Sequence, residues 1–204
     1  MNIHRKLKNL IMISIIIFAI MSGCLTKEDN KRTDIDKIDI DKTDIEEVNN
    51  MQNMSIFTEA FKEGENIPGE YTCDGENISP VLFWTWRPTE TKSIALIMDD
   101  PDAPGGTFVH WVLYNIPPET DKLNKGFPKE KIFRDGTTQG VTDFGRIGYG
   151  GPCPPSGSHR YFFRIYALDK KLDLFPGATR GQVDDAMKGH IIAKGELMGR
   201  YKRR

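Results

Sequence analysis

The sequence predicts an all-β sandwich with one short helical element near its C-terminus. Short runs of apolar or alternating residues recur along the chain, separated by clusters of Gly, Pro, Asn and Asp. Only one segment carries apolar residues at helical spacing. Many short strands with a single late helix are typical of two packed sheets, whereas βαβ units would alternate strands with helices.

Five segments are predicted as strands because they alternate or are continuously apolar between turn residues. In the last of them, the odd-numbered residues form an apolar face and the even-numbered residues form the other face, which carries Arg164. The apolar face is Tyr161, Phe163, Ile165 and Ala167. The five segments are residues 56–61, 81–86, 94–98, 110–115 and 161–168.

The helix is predicted to begin at Thr179. Thr179 and Gln182 have the spacing of a capping box, and Val183 and Met187 follow at helical spacing. After Gly189 the chain alternates again over residues 190–201, which predicts a final strand.

Residues 1–23 are predicted to be a lipoprotein-type signal peptide. Basic residues precede an apolar run over residues 10–20, which is shorter than the ~20 residues of a membrane span. Small residues then precede Cys24, the expected site of lipidation. Ordinary signal cleavage and an uncleaved anchor are the alternatives, and all three place the rest of the chain outside the cytoplasm.

Residues 24–50 are predicted to form an acidic, disordered tether. They contain nine acidic and five basic residues, and isolated Ile residues alternate with charges. Residues 51–204, the predicted domain, contain twenty of each and are therefore neutral overall. Such a domain has no basic excess with which to bind nucleic acid.

Cys73 and Cys153 lie in the predicted domain. Outside the cytoplasm they could form a disulfide, and two packed free thiols are the alternative. Two cysteines do not make a zinc site alone, although His110 and His159 could in principle complete one. We predict no metal and no cofactor.

A rigid Gly/Pro loop over residues 150–157 leads into the strand that carries His159, Arg160 and Tyr161. Pro fixes φ and Gly tolerates positive φ, so such a loop holds one shape and can present backbone donors to a ligand. The segment therefore indicates an anion pocket, with a plain hairpin turn as the alternative.

Several motifs in order carry a family resemblance. They are DPDAP at 100–104, HWVLYNIP at 110–117 and GPCPPSGSHRYFFRIYAL at 151–168, with flanking runs at 71–80 and 175–179. Over residues 55–201 the chain resembles the phosphatidylethanolamine-binding protein (PEBP) family, in its prokaryotic, Raf-kinase-inhibitor-like branch. The resemblance implies a β-sandwich with a small cavity at one end that binds anions such as phosphate and phosphorylethanolamine head groups.

The resemblance also implies the site residues. The predicted ligand-binding residues are Asp100, His110, Pro152, Cys153, His159 and Tyr161, and the predicted pocket-shaping residues are Trp84, Pro101, Asp102, Pro104 and Trp111. The histidines and Tyr161 would donate to an oxyanion, and Asp100 would orient a histidine or accept from an ammonium group. Asp102 is expected to cap the Asp-Pro-Asp turn. Arg160 lies on the strand face opposite Tyr161, which favours a structural ion pair.

The predicted function is a membrane-tethered, extracytoplasmic binding protein for a small anion or phospholipid head group. The alternative is an interaction domain of the kinase- or protease-inhibitor type without an obligate ligand. A hydrolase is less favoured, because the sequence has no G-x-S-x-G, H-E-x-x-H or phosphate-binding P-loop motif. A homodimer is an expectation from the resemblance alone.

Overall fold

The computed structural model describes residues 52–203. The predicted signal peptide, the acidic tether and the lipidation site Cys24 lie outside the described residues. Within residues 52–203, no helix is long and apolar enough to cross a membrane.

The described chain forms nine strands, one α-helix and one turn of 3₁₀ helix. The 3₁₀ turn is Gly69–Tyr71 and the α-helix, α1, is Arg180–Met187. The strands are β1 Gln52–Asn53, β2 Ser55–Phe57, β3 Leu82–Thr85, β4 Ser93–Asp100, β5 Phe108–Ile116, β6 Lys122–Leu123, β7 Thr138–Gln139, β8 Ser158–Leu168 and β9 Ile191–Lys202.

The strands form two sheets. One has six strands in the order β1-β9-β8-β4-β5-β7, and the other has three in the order β2-β3-β6. The main core lies between them and includes Leu82 and Trp84 from the small sheet and Leu96 and Phe163 from the large one. The predicted all-β sandwich is confirmed.

The single helix covers the outer face of the large sheet. Val183 and Met187 of α1 pack with Ala95, Ile97 and other buried residues of that face into a second, smaller core. Because β4 has apolar contacts on both faces, all eight of its residues are buried, which explains its continuous apolar sequence. The predicted capping box is present, with both reciprocal bonds between Thr179 and Gln182.

Alternation predicted the long strands well but not every boundary. The predicted inward face of β8 is buried at each of its four positions. The first predicted strand was too long, since β2 ends at Phe57. The second ends at Thr85, because Trp86 adopts a positive φ of 57° that breaks the extended chain. β4 in turn continues past Met98 to Asp100.

A register shift between β4 and β5 positions the residues of interest. Met98 pairs with Trp111, and the next residue, Asp99, pairs with Val109, so His110 is the extra residue of a β-bulge. A bulge bends the strand and redirects a side chain. In this structure the His110 ring packs against Tyr161 of β8, the strand on the other side of β4.

Candidate functional site

Four polar side chains meet at one end of three inner strands of the large sheet. Asp100 ends β4, His110 occupies the bulge of β5, and His159 and Tyr161 lie near the start of β8. These three strands are neighbours in the sheet, and β4 is antiparallel to both of the others. The exposed fraction is 3% for Asp100, 3% for His110, 7% for His159 and 0% for Tyr161. The predicted ligand-binding side chains are therefore brought together in a buried group, which we call the His–Tyr cluster (Asp100, His110, His159 and Tyr161).

Asp100 orients His159 and also caps the turn that follows it. Its Oδ2 accepts from Nδ1 of His159 at 2.8 Å, and its Oδ1 accepts from the backbone N–H of Asp102 at 2.9 Å. The expectation that Asp102 caps this turn was wrong, because a carboxylate can reach the N–H two residues ahead of it, and Asp100 holds that position.

Asp102 instead binds Arg160. It accepts from the backbone N–H and Nε of Arg160, both at 2.9 Å, and from its terminal nitrogen at 2.6 Å. The hydrogen bonds from Arg160 lower the pKa of Asp102 to about 2. The structural ion pair expected for Arg160 is present, and it fixes the loop after β4 to the start of β8.

His110 is held by the glycine loop and packs against Tyr161. Its Nδ1 donates to the carbonyl oxygen of Gly150 at 2.7 Å, and the His110 and Tyr161 rings meet edge to face with centroids 5.2 Å apart. Burial lowers the pKa of His110, opposed by the Gly150 carbonyl and the charge of Asp100.

The two histidines share one arrangement. In each, Nδ1 faces an acceptor that cannot donate, a carbonyl for His110 and a carboxylate for His159, so Nδ1 carries the proton. Among the described residues, Nε2 of neither ring has a hydrogen-bond partner. Each Nε2 can therefore accept a hydrogen bond when the ring is neutral and donate one when it is protonated.

The hydroxyl of Tyr161 is buried and has no hydrogen-bond partner within residues 52–203. Burial, followed by the negative charge of Asp100, raises the pKa of this phenol well above its ordinary value. The hydroxyl therefore keeps its proton at physiological pH and offers a donor. Buried hydroxyls are normally paired, so an unpaired one beside two histidines points to a ligand.

The loop beside His110 is fastened to the 3₁₀ turn by several independent contacts. Cys73 and Cys153 form a disulfide, with their Cα atoms 5.4 Å apart. The backbone N–H of Cys73 donates to the Pro152 carbonyl at 3.1 Å, and the Tyr149 hydroxyl donates to the Tyr71 carbonyl at 2.7 Å. Of the two alternatives left open by the sequence, the bridged pair is the one in the structure.

Gly151 shows how closely these two segments approach. A Cβ at this position would lie 2.3 Å from the carbonyl oxygen of Tyr71, so only glycine fits. Its N–H donates to Oδ1 of Asn77 at 2.7 Å, so this donor is used within the fold. Pro152 has no N–H to offer, which leaves Cys153 as the remaining backbone N–H of residues 151–153.

The predicted pocket-shaping residues are more scattered than the His–Tyr cluster. Pro101 is partly buried and Pro104 is exposed. Both tryptophans are core residues with satisfied indoles: Trp84 donates to the Thr120 carbonyl and Trp111 to the Gln139 side chain, each at 2.8 Å. Within the described chain, neither forms a hydrogen bond or aromatic pair with the cluster.

Sequence reasoning missed the aromatic neighbours of His110. Phe108 and Phe144 each pack against its ring with centroids 5.2 Å apart. Phe144 lies outside the matched motifs, and no local pattern marks it. In residues 52–203, no three His, Cys, Asp or Glu side chains converge as a metal site would require.

Comparison with known proteins decides the family. The family model described as phosphatidylethanolamine-binding protein matches residues 57–202. The chain belongs to the phosphatidylethanolamine-binding protein family. The all-β fold agrees with that membership.

Related sequences and structures extend the PEBP assignment. The chain is 53% identical over 150 residues to a UPF0098 protein of Methanothermobacter thermautotrophicus, covering 74% of this chain and 99% of the relative. A UPF0098 protein of Aquifex aeolicus is 54% identical over 153 residues, covering 74% and 89%.

Two crystal structures are similar to this PEBP fold. One, described as a putative PEBP homolog from Chlamydia trachomatis, has a TM-score of 0.69 and 42% identity, covering 75% of this chain and 99% of that one. The other, YbcL of E. coli, is described as a new member of the mammalian PEBP family. It has a TM-score of 0.67 and 32% identity, covering 74% and 99%.

Proposed function

We propose that this PEBP-family protein is a membrane-tethered, extracytoplasmic binding protein whose His–Tyr cluster holds a small anion or phosphorylated head group. The observation that carries the proposal is the buried, unpaired hydroxyl of Tyr161 beside two largely buried histidines, each with one unpaired ring nitrogen. The cluster keeps one nitrogen of each histidine and the Tyr161 hydroxyl without partners among the described residues.

These groups suit an oxyanion for chemical reasons. Tyr161 donates at any physiological pH, and each Nε2 donates when its ring is protonated. When both rings are protonated, three donors from β5 and β8, which lie on either side of β4, match the several acceptor oxygens of a phosphate. The carboxylate of Asp100 opposes an anion, but its bond to Nδ1 of His159 fixes the orientation of the ring whose Nε2 would meet one.

The location is supported by the disulfide and by the first residues of the sequence. Disulfides persist in oxidising compartments, outside the cytoplasm, and Cys73 is bridged to Cys153. The basic and apolar residues before Cys24 fit a lipoprotein signal. Replacing Cys24 with Ala should move the protein from the membrane to the soluble extracytoplasmic fraction. An unchanged membrane fraction would contradict tethering through this residue.

Binding is favoured over hydrolysis by the state of Cys153. Its sulfur is the nearest thiol-type nucleophile in sequence to His159, and it is held in the disulfide. Nucleophilic catalysis by cysteine requires a thiolate. The disulfide therefore argues against a cysteine-based hydrolase, and we favour binding as the role of the cluster.

The proposal is tested by ³¹P NMR titration of inorganic phosphate with the full-length protein. His110→Ala and His159→Ala should each weaken binding about tenfold or more, since each removes a hydrogen bond to a charged group. His190→Ala is the matched control, because His190 also pairs with a carboxylate, Asp169, at 2.9 Å, but both side chains are well exposed. Its affinity should equal that of the wild type.

Circular dichroism of each variant separates loss of the site from loss of the fold. The proposal fails if the folded wild-type protein does not bind phosphate. It also fails if phosphate binds with equal affinity to wild type and to both cluster variants.

A further inference from the structure

An exposed aromatic and a cation adjoin the proposed anion site. Phe144 packs edge-on against Phe108, with centroids 4.8 Å apart, and against His110, at 5.2 Å. Yet 37% of the Phe144 side chain is exposed. The guanidinium carbon of Arg146 lies 5.0 Å from the centre of the Phe144 ring. We call Phe144 and Arg146 the rim of the site.

The rim is held in place by a tight turn. Val109 and Asp143 exchange two bonds: the N–H of Val109 donates to Oδ2 of Asp143 at 2.7 Å, and the N–H of Asp143 donates to the Val109 carbonyl at 3.0 Å. The carbonyl of Arg146 accepts from the N–H of Thr142 at 3.0 Å and from its hydroxyl at 2.9 Å. Gly145, with φ of 72°, completes the turn. The aromatic ring and the cation therefore keep a fixed position beside His110.

Arg146 differs from the four arginines that form ion pairs. Those four are paired with carboxylates, and they are Arg160, Arg164, Arg180 and Arg203. In the described part of the chain, Arg146 has no carboxylate within ion-pair distance and contacts an aromatic ring instead. Its charge is therefore not cancelled by a fixed partner.

Arg146 lies on the far side of Phe144 from His110. Successive separations of 5.0 Å and 5.2 Å join Arg146 to Phe144 and Phe144 to His110. The guanidinium thus lies within about 10 Å of the imidazole, and at physiological salt, where the Debye length is ~8 Å, its field at His110 itself is largely screened. A ligand group that extends from His110 toward Phe144 would come closer to this cation, and an ammonium group there would be repelled by it.

We infer that the rim selects which phosphorylated ligand the site takes, an inference that rests on the proposed anion site. Phe144 offers an apolar wall and Arg146 offers positive charge. The rim therefore fits a phosphate monoester with an apolar or aromatic ester group. It disfavours the zwitterionic phosphorylethanolamine head group, whose ammonium would lie beside Arg146.

The test compares three probes by ³¹P NMR titration of the full-length protein: inorganic phosphate, phenyl phosphate and phosphorylethanolamine. Phenyl phosphate should bind about 3- to 10-fold more tightly than inorganic phosphate, because one aromatic contact contributes that much. Phosphorylethanolamine should bind no more tightly than inorganic phosphate.

Three variants at the two rim positions assign the preference. Phe144→Leu and Phe144→Ala should each bring the ratio of phenyl phosphate affinity to inorganic phosphate affinity close to one, a comparison within each variant that allows for any change at His110. Arg146→Ala should weaken phenyl phosphate about 2- to 5-fold, less at high salt, and should improve phosphorylethanolamine relative to it. Arg134→Ala removes another exposed arginine and should change nothing.

The outcomes separate this inference from the proposed function. If inorganic phosphate does not bind the folded wild type, both fall. If inorganic phosphate binds but phenyl phosphate binds no more tightly, the selective rim alone is overturned. Equal affinities for all three probes in wild type and Arg146→Ala would likewise overturn it.

Discussion

Asp99 and Asp100 are adjacent in β4, both are buried, and they have different surroundings. Asp99 faces α1 and accepts from both Arg164 and Arg180. Those arginines are in turn paired with Glu196 and Asp184, each at 2.9 Å. We call this network of two arginines and three carboxylates closed, because each of these charged side chains is paired with another of them.

Asp100, on the opposite face, belongs to a network that we call open, because some of its groups have no partner among the described residues. It orients His159, whose second nitrogen is unpaired among the described residues, next to the unpaired hydroxyl of Tyr161. Closed networks hold elements together, whereas leftover buried donors cost stability unless a ligand satisfies them. The candidate site therefore differs from the structural ion pairs in its polar groups without hydrogen-bond partners, and not in the burial of charge.

The largest effect should come from removing the disulfide behind the open network. The bridge joins residues 80 apart in sequence, and the chain-entropy model gives a loss of about 4.5 kcal/mol for a loop of this length. The double variant Cys73→Ser/Cys153→Ser should therefore unfold at much lower urea concentration. Phosphate affinity should also fall, because the bridge fixes the loop that holds His110. Unchanged affinity in the folded variant would show that the other loop contacts suffice.

Breaking the closed network should destabilise the fold and leave binding intact. Asp99→Asn leaves two partly buried arginines without their shared partner. Removal of one partner from a buried ion pair costs on the order of 3 kcal/mol. Urea unfolding measures this loss, and phosphate titration of the folded variant should match the wild type. A large loss of affinity would contradict the division between the two faces.

Tyr161→Phe should have opposite effects on stability and on binding. Removing a buried, unpaired hydroxyl should leave the unfolding free energy unchanged or raise it by up to about 1 kcal/mol. Phosphate affinity should fall about tenfold, because a hydrogen bond to a charged ligand is lost. Thermal unfolding and ³¹P titration test the two effects. A destabilised variant with normal affinity would make Tyr161 a structural residue.

The smallest effect should be the pH dependence that His110 introduces. Since burial lowers its pKa below the ordinary value of 6.5, the unfolded chain binds more protons in the window just below pH 6.5. Stability must then rise with pH through that window and be lost as the solution is acidified. Urea midpoints at pH 5 and pH 7.5 should differ less in His110→Gln than in wild type. Phosphate should reduce the loss of stability at acidic pH in the wild type, since it binds the protonated ring.

Much of the sandwich follows from local sequence. Strand β8 has one face in the core and one more open, so its alternation could be recognised without the structure. Strands β6 and β7 have two residues each and leave no periodic signal. The end of β4 was missed because Asp99 and Asp100 are charged, and the arginines that neutralise Asp99 come from distant β8 and α1.

The sequence predicted which residues form the candidate site, but it did not predict how they are arranged. The motifs supplied Asp100, His110, His159 and Tyr161, and the structure brings all four together. Which aspartate caps the turn depends on how β4 ends, and the rim depends on a turn that folds back onto β5. These are tertiary relations that spacing along the chain does not reveal.

The most direct test of the account is NMR of the histidine side chains in ¹⁵N-histidine-labelled, full-length protein, recorded as phosphate is added. The ring nitrogens report which nitrogen carries a proton and which one meets the ligand. We predict that the Nε2 signals of His110 and His159 shift in a saturable way with one affinity, while those of His190 do not. Phosphate binding that leaves the signals of His110 and His159 unchanged would contradict the assignment of the His–Tyr cluster as the anion site.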